Sequence, residues 1–341
     1  MSLPRLASSS IIFFAAAQLL AAERGGIAPK PLFRDPVYDG AADPVVIWNP
    51  RAERWWMFYT NRRANVPDLP GVTWVHGTPI GIAESDDGGV TWQYVGTADV
   101  EPPPEAGENA TFWAPDVVRG DDGRWHMFLT VVPGVFRDWN HPRRIVHLTS
   151  DDLLTWRNPQ PITLANDKVI DASVLRLSAG SWRMWYNNER DGKSIYFADS
   201  RDLVEWTDRG RAAGIGNRCE GPKVFRWHDK YWMVVDQWRG LAVFRSDDAN
   251  QWEAQADNLL AEPGQGNDDQ VQGQHADVLV NGGRAYLFYF THPGRRGENA
   301  RDDGTEQRRS SIQVVELHLE GGWLTCDRDE PTHIRLVAPS E

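Results

Sequence analysis

Five polar residues stand where a connecting loop runs into a short apolar strand. Asp43 heads Asp-Pro-Val-Val-Ile-Trp, Asp116 heads Asp-Val-Val-Arg, and Asp171 heads Asp-Ala-Ser-Val-Leu-Arg-Leu. Glu220 heads Glu-Gly-Pro-Lys-Val-Phe-Arg, and His275 heads His-Ala-Asp-Val-Leu-Val. Strand interiors avoid acids, and Gly-Pro interrupts regular pairing, so each polar head marks a strand entrance. The steps between heads are 73, 55, 49 and 55 residues, a repeat. If the repeat brings them together, four carboxyl groups and an imidazole shift one another's pKa and form a set of proton donors and acceptors. The plainer alternative is a ring of acids that holds a structural cation or ordered water.

The elements that would position them repeat at the same spacing. Behind each head lies an aromatic–x–Met strand: Trp55-Trp56-Met57-Phe58, Trp125-His126-Met127-Phe128, Trp182-Arg183-Met184-Trp185 and Tyr231-Trp232-Met233-Val234, with Ala285-Tyr286-Leu287-Phe288 in the fifth unit. Apart from Met1, every methionine falls at this position. A third apolar strand then runs into Ser and Trp: Ser85 to Trp92, Ser150 to Trp156, Ser200 to Trp206 and Ser246 to Trp252. Several short β runs per unit, with no sustained helical period, predict an all-β, five-bladed β-propeller. The Met and Trp positions are expected to fill contacts between blades. Ser85-Asp86-Asp87-Gly88-Gly89-Val90-Thr91-Trp92 fits a hairpin device at a blade's outer edge and is read as structural.

In such a propeller the innermost strands line a central channel, and their first residues should share one ring at one end. The loop after each second strand rises on that same face. Three of these loops are long, at 61–79, 131–144 and 292–310, and two are short, at 187–193 and 237–240. The long ones carry Trp74, His76, Phe136, Trp139, His141, His292, Arg295 and Arg296. Aromatic faces beside Arg and Asn suit sugar rings, which offer apolar faces and hydroxyl edges. Unequal walls predict a pocket or blocked cleft.

Composition narrows the partners. The net charge of -12 disfavours nucleic acid and anionic membranes. Arg5 followed by Ile11–Leu20 and Ala21-Ala22 reads as an export signal over residues 1–22, too short to span a bilayer, which needs about 20 apolar residues. Residues 23–341 are then one propeller, exported to the periplasm or the medium. Two cysteines, Cys219 and Cys326, make no disulfide scaffold and are expected as free thiols.

The five heads, taken in order, resemble glycoside hydrolase family 43, the five-bladed arabinanase, arabinofuranosidase and xylosidase group. Asp43-Pro44 resembles that family's first-blade general base, and Trp113-Ala114-Pro115-Asp116 its W-A-P-D. Ile170-Asp171-Ala172-Ser173-Val174 is similar to its I-D-P-S-V, and Glu220-Gly221-Pro222 to its E-G-P. Gln274-His275-Ala276-Asp277 resembles the fifth-blade His motif, and Arg308-Arg309-Ser310-Ser311-Ile312-Gln313 an R-x-x-x-x-Q run. Ala172 and Gln274 depart from the family's Pro and Gly.

The resemblance implies a carbohydrate substrate and an inverting hydrolysis of arabinofuranosyl or xylosyl linkages in plant-type oligo- or polysaccharides. Glu220 would be the general acid, Asp43 the general base, and Asp171 the residue that orients the acid and raises its pKa. Trp113, Asp116, His275, Arg308 and Arg309 would bind substrate, and Trp74 and Trp139 are expected to join them from the long loops. No cofactor is required, though the resemblance leaves room for a structural calcium ion in the channel, with His275 near it through water. The alternatives are a carbohydrate-binding propeller without catalysis, and a different propeller glycosidase of the neoagarooligosaccharide or fructan type. No acid is missing, against the first, and Glu220 speaks against the His-acid neoagarooligosaccharide type. Phe33-Arg34-Asp35-Pro36 echoes a fructan-type R-D-P but precedes the first blade. A sialidase would need a triad of arginines, which the ring lacks.

Overall fold

The computed structural model describes residues 25–339, so the stretch read as an export signal lies outside the described residues. Five sheets form the five blades of a β-propeller, antiparallel throughout except where the short strand Asp99–Val100 joins the outer edge of blade 2 in parallel. Blade 1 comprises Ala41–Asn49, Arg54–Asn61, Ile80–Ser85 and Gln93–Thr97. Blade 2 comprises Thr111–Arg119, Trp125–Val132, Arg144–Ser150 and Thr155–Pro161. Blade 3 comprises Val169–Ser178, Ser181–Asn188, Ser194–Ser200 and Trp206–Arg211. Blade 4 comprises Glu220–Trp227, Lys230–Asp236, Leu241–Ser246 and Glu253–Ala254. Blade 5 comprises Gln274–Asn281, Arg284–Thr291, Ser311–Glu320 and Trp323–Thr325. Each first strand packs on the next, and that of blade 5 returns to blade 1.

Burial follows strand position. The second strands lie between neighbouring sheets and are buried on both faces, so they read as continuous apolar runs. The outermost strands face solvent on one side, and Gln93–Thr97 and Trp206–Arg211 alternate accordingly. The four strand methionines are fully buried between blades, as expected: Met57 lies with Phe288, Met127 with Phe58, Met184 with Phe128, and Met233 with Trp185. Cys219 and Cys326 are free thiols.

The seam between blades 5 and 1 is closed by both ends of the described chain. Gly26–Ile27 pairs antiparallel with His333–Ile334, and Phe33 bridges to Ile312. Leu32, Phe33, Ile334 and Leu336 then fill the wedge with Tyr59, Phe288 and Phe290.

Ser85, Asp87 and Trp92 tie the outer hairpin of blade 1: Ser85 Oγ donates to Asp87, which accepts from Thr91, and Trp92 Nε1 donates to the Gly89 carbonyl. The same device recurs in blades 2 and 3 without glycine. Ser150 pairs with Asp152 and Ser200 with Asp202, and Trp156 and Trp206 donate to the carbonyls of Leu153 and Leu203. Leu153 and Leu203 supply the left-handed turn, each at φ 66°.

Candidate active site

Every first strand carries an irregularity near its entrance, where register slips between residues 42 and 45, 113 and 116, 170 and 173, 220 and 223, and 274 and 276. Asp43, Ala114, Asp171 and Gly221 sit at these bulges in the left-handed region, with φ between 44° and 58°. Such backbone is strained for the non-glycine residues and re-aims their side chains. Proline at 44, 115 and 222 fits because a bulge leaves a donor unpaired. Gly221 is required sterically, since a Cβ there would stand 2.5 Å from the His275 ring. The bulge donors are taken by side chains. Thr60 accepts from the Ala114 N–H at 2.8 Å, Thr130 from Asp171 at 3.0 Å, Asp171 from Gly221 at 3.0 Å, and Asp236 from His275 at 3.1 Å.

The bulges sort the five heads into two levels. Asp43, Asp171 and His275 occupy equivalent positions in the upper ring, and Glu220 enters from the residue just before. Asp116 does not join them. It lies two residues beyond its bulge, in a lower ring with Lys223, Asp277 and Ser173. Lys223 Nζ bridges Asp116 at 2.9 Å and Asp277 at 2.8 Å, and both carboxylates outweigh burial in raising its pKa. The second oxygens of Asp116 and Asp277 accept the N–H groups of Val174 and Val46, and Ser173 accepts that of Val224. The lower ring therefore stitches all five blades together. It is an axle beneath the pocket, and the expectation of Asp116 as a sugar contact is corrected to this role.

Above the axle a pocket of about 500 Å³ is lined by Asp43, Asp171, Glu220 and His275 together. Arg62 donates to both oxygens of Asp43, at 3.1 and 3.0 Å, and His275 Nδ1 lies 3.3 Å from it. Burial alone would push Asp43 up, but Arg62 and His275 outweigh it and hold the carboxyl well below the usual range. His275 is raised to about 9, the loss of solvent being overcome by Asp43 and Asp171. Burial pushes Asp171 up to about 7, aided by the charges of Glu220 and Asp43 against that of His275. Asp236 also rises to about 7, through burial and then Glu220. Lys193 Nζ stands 2.5 Å from Glu220 Oε2, and Trp238 Nε1 donates to Oε1 at 3.1 Å. One wall thus holds an ionised carboxylate, another a carboxyl that keeps its proton near neutrality, and a third a carboxyl clamped on both oxygens.

Trp74, Trp113 and Trp139 all line the pocket. Trp139 is the open one, 52% exposed; Trp74 is buried edge-on against His292, and Trp113 donates to the Val75 carbonyl. Arg308 and Arg309 do not line it. Arg308 is buried, pairs with Asp303 and lies 5.8 Å from the Trp74 ring, so it buttresses that wall from behind. Arg309 pairs with Asp268 and Glu306. The arginines on the pocket are Arg62, Arg143 and Arg295. Sequence reasoning missed Arg62, Arg143, Glu189, Lys193, Asp236 and Trp238, of which Glu189, Lys193 and Trp238 lie in the two short loops. The one available signal was position: Asp236 stands on its second strand opposite the residue before the bulge, as Thr60 and Thr130 do on theirs.

A channel calcium ion does not fit the donors present. Asp43 is spent on Arg62 and His275, and Asp116 and Asp277 on Lys223 and backbone N–H groups. Among the described residues no group of three His, Cys, Asp or Glu side chains is arranged to hold a metal. In the lower ring the place of a cation is taken by the Lys223 ammonium.

A five-bladed propeller with an acid-lined pocket at one end of its channel defines the class. Residues 34–266 match the family described as a probable glycosyl hydrolase domain, related to glycoside hydrolase family 43, and the chain belongs to that family. Among solved structures it is similar to a thermostable family-43 glycoside hydrolase, at 19% identity and a TM-score of 0.64 over 91% of this chain and 99% of that one. It is also similar to the family-43 subfamily 1 enzyme of Xanthomonas citri complexed with xylotriose, at 15% identity and 0.62 over 91% and 96%. The Bombyx mori family-32 β-fructofuranosidase shares the fold at 14% identity and 0.63, over 94% of this chain and 68% of that one. Among curated proteins no sequence matches it.

Proposed function

We propose that the chain hydrolyses arabinofuranosyl or xylosyl linkages of plant-type oligo- or polysaccharides with inversion, after export and removal of its N-terminal stretch. The observation that carries this is the pairing, in one pocket, of Asp43, held ionised by Arg62 and His275, with Glu220. Inversion needs a base to activate water on one face of the sugar and an acid to protonate the leaving oxygen on the other. Asp43 is the base and Glu220 the acid. Asp171 is a positioning residue, bonded to the Gly221 N–H beside the acid and carrying a proton near neutral pH. Trp113, Trp139 and Trp238 offer aromatic faces to sugar rings, and Arg62 sits between the base and His292. Walls from all five blades suit attack at a chain end. The fructan-type alternative is disfavoured because Asp35, the acid of its R-D-P echo, is buried on Tyr59 and Asn61 and does not line the pocket.

The test is release of phenol from aryl α-L-arabinofuranosides and β-D-xylosides, with product anomers followed by proton NMR. Glu220→Gln, Asp43→Asn and Asp171→Asn should each lower turnover by roughly 10²-fold or more with the fold retained. Full activity in Asp43→Asn would remove the base assignment.

A further inference from the structure

We propose that Lys193 is a positioning residue for Glu220: its ammonium, shared between Glu220 and Glu189, clamps the carboxylate and must be drawn wholly onto Glu189 before Glu220 can carry a proton to a leaving oxygen. This rests on the proposed function in taking Glu220 as the proton donor.

Both oxygens of Glu220 are occupied, one by the Lys193 ammonium at 2.5 Å and one by the Trp238 indole N–H at 3.1 Å. The ammonium also lies 5.2 Å from the Trp238 ring centre, so the two clamping groups touch each other. Each carboxylate oxygen can still accept a second bond, but an Oε2 that carries a proton to a substrate must give up the ammonium that now donates to it. The cation at its side favours the form without a proton. A second seat for the ammonium is already built. Lys193 Nζ stands 3.2 Å from Glu189 Oε1, and the other oxygen of Glu189 is fixed by the buried Arg143.

The backbone aims the lysine. Asn188 caps the short turn Glu189–Asp191, and Gly192 and Lys193 follow, both left-handed, at φ 62° and 58°. The carbonyls of Gly192 and Lys193 accept from Arg218 and Cys219, and Asn187 donates to the Cys219 carbonyl. This loop is therefore sewn to the residues immediately before Glu220, and a strained lysine backbone is retained where its side chain meets the acid.

Glu220 faces other charges too. On its own blade stands Asp236, its cross-strand partner; on blade 3, Glu189 and Asp171; around the ring, Asp43 and His275. Among the described residues Lys193 is the one cation within salt-bridge distance of it.

The experiment is a carboxyl carbon-13 NMR titration of glutamate-labelled enzyme, with Glu220 assigned by its loss in Glu220→Gln, alongside kcat/KM against pH on an aryl glycoside. In Lys193→Met the Glu220 midpoint should rise by about one to three pH units, and the alkaline limb of the rate profile should move the same way. Lys193→Arg should keep the midpoint near that of the parent. Glu189→Gln leaves the whole lysine charge on Glu220 and should shift the midpoint down; it serves also if Lys193→Met does not fold. An unmoved midpoint in either variant overturns the proposal. If the parent enzyme releases phenol from no glycoside, the functional proposal fails separately, and the titration still decides whether Lys193 clamps Glu220.

Discussion

Replacing Lys223 by Met should strike the fold rather than the chemistry. The ammonium lies 2.9 Å from Asp116 and 2.8 Å from Asp277, and both carboxylates are at least nine-tenths buried. At an effective dielectric near 20, each contact is worth about 6 kcal/mol of gross attraction. Desolvation of the three ions offsets most of that, at several kcal/mol each. The intact triad is therefore close to neutral, but taking out its centre leaves two carboxylates facing each other in the channel. Breaking a buried pair in this way costs about 3–5 kcal/mol, a large share of the roughly 5–15 kcal/mol that holds a domain together. Urea unfolding at pH 7 should show the midpoint falling with an unchanged slope. Adding Asp116→Asn and Asp277→Asn to Lys223→Met removes the stranded charges, while the amide oxygens still accept from Val174 and Val46. The triple variant should recover most of the loss. A cost below about 1 kcal/mol for Lys223→Met, or a triple variant no more stable than the single one, would refute the axle.

The remaining expectations concern the pocket. Trp139→Ala should raise KM about tenfold, some 1.4 kcal/mol, with kcat and the urea midpoint nearly unchanged, because the ring is half exposed and supports no core. Asp236→Asn should stabilise the fold above pH 7 and lose that advantage near pH 4. The folded carboxyl titrates at about 7 against an unfolded value of 3.8, so its contribution is fully present below 3.8 and drains away as pH rises to 7. Three units correspond to at most about 4 kcal/mol, and melting temperatures at pH 5 and pH 8 read the difference. Asp236→Asn should also lower turnover, since the side chain holds both the His275 N–H and the Trp238 N–H.

Blade number and the cores between blades were legible because they rest on patterns that burial enforces, such as an aromatic–x–Met strand packed on both faces. The convergence of Asp43, Asp171, Glu220 and His275 was legible because an acid at a strand entrance is costly unless something uses it. Asp116 looked the same in sequence, yet the bulge at Ala114 consumes two residues and drops it one level down the channel. Nothing in Trp-Ala-Pro-Asp shows which residue takes the left-handed turn. Lys193, Glu189 and Trp238 were illegible for another reason: charged and aromatic residues in short turns look like ordinary surface. Arg308 and Arg309 matched a motif, but Asp303, Asp268 and Glu306 claim them.

The two levels of the channel divide stability from function. In the lower ring every carboxylate oxygen meets a cation or an N–H, and one lysine answers two acids. The upper ring is left in conflict. Asp171 and Asp236 are pushed to about 7, His275 to about 9, and two acids sit on left-handed backbone. Such an arrangement lowers stability, and it persists only where surrounding structure over-determines it. Here that structure is immediate: Asp171 bonds the residue beside Glu220, Asp236 bonds His275, and His275 bonds Asp43. Each strained group is held by the next, so a proton moved at one is felt by all. The axle beneath lets the blades keep their places while the charges above them change.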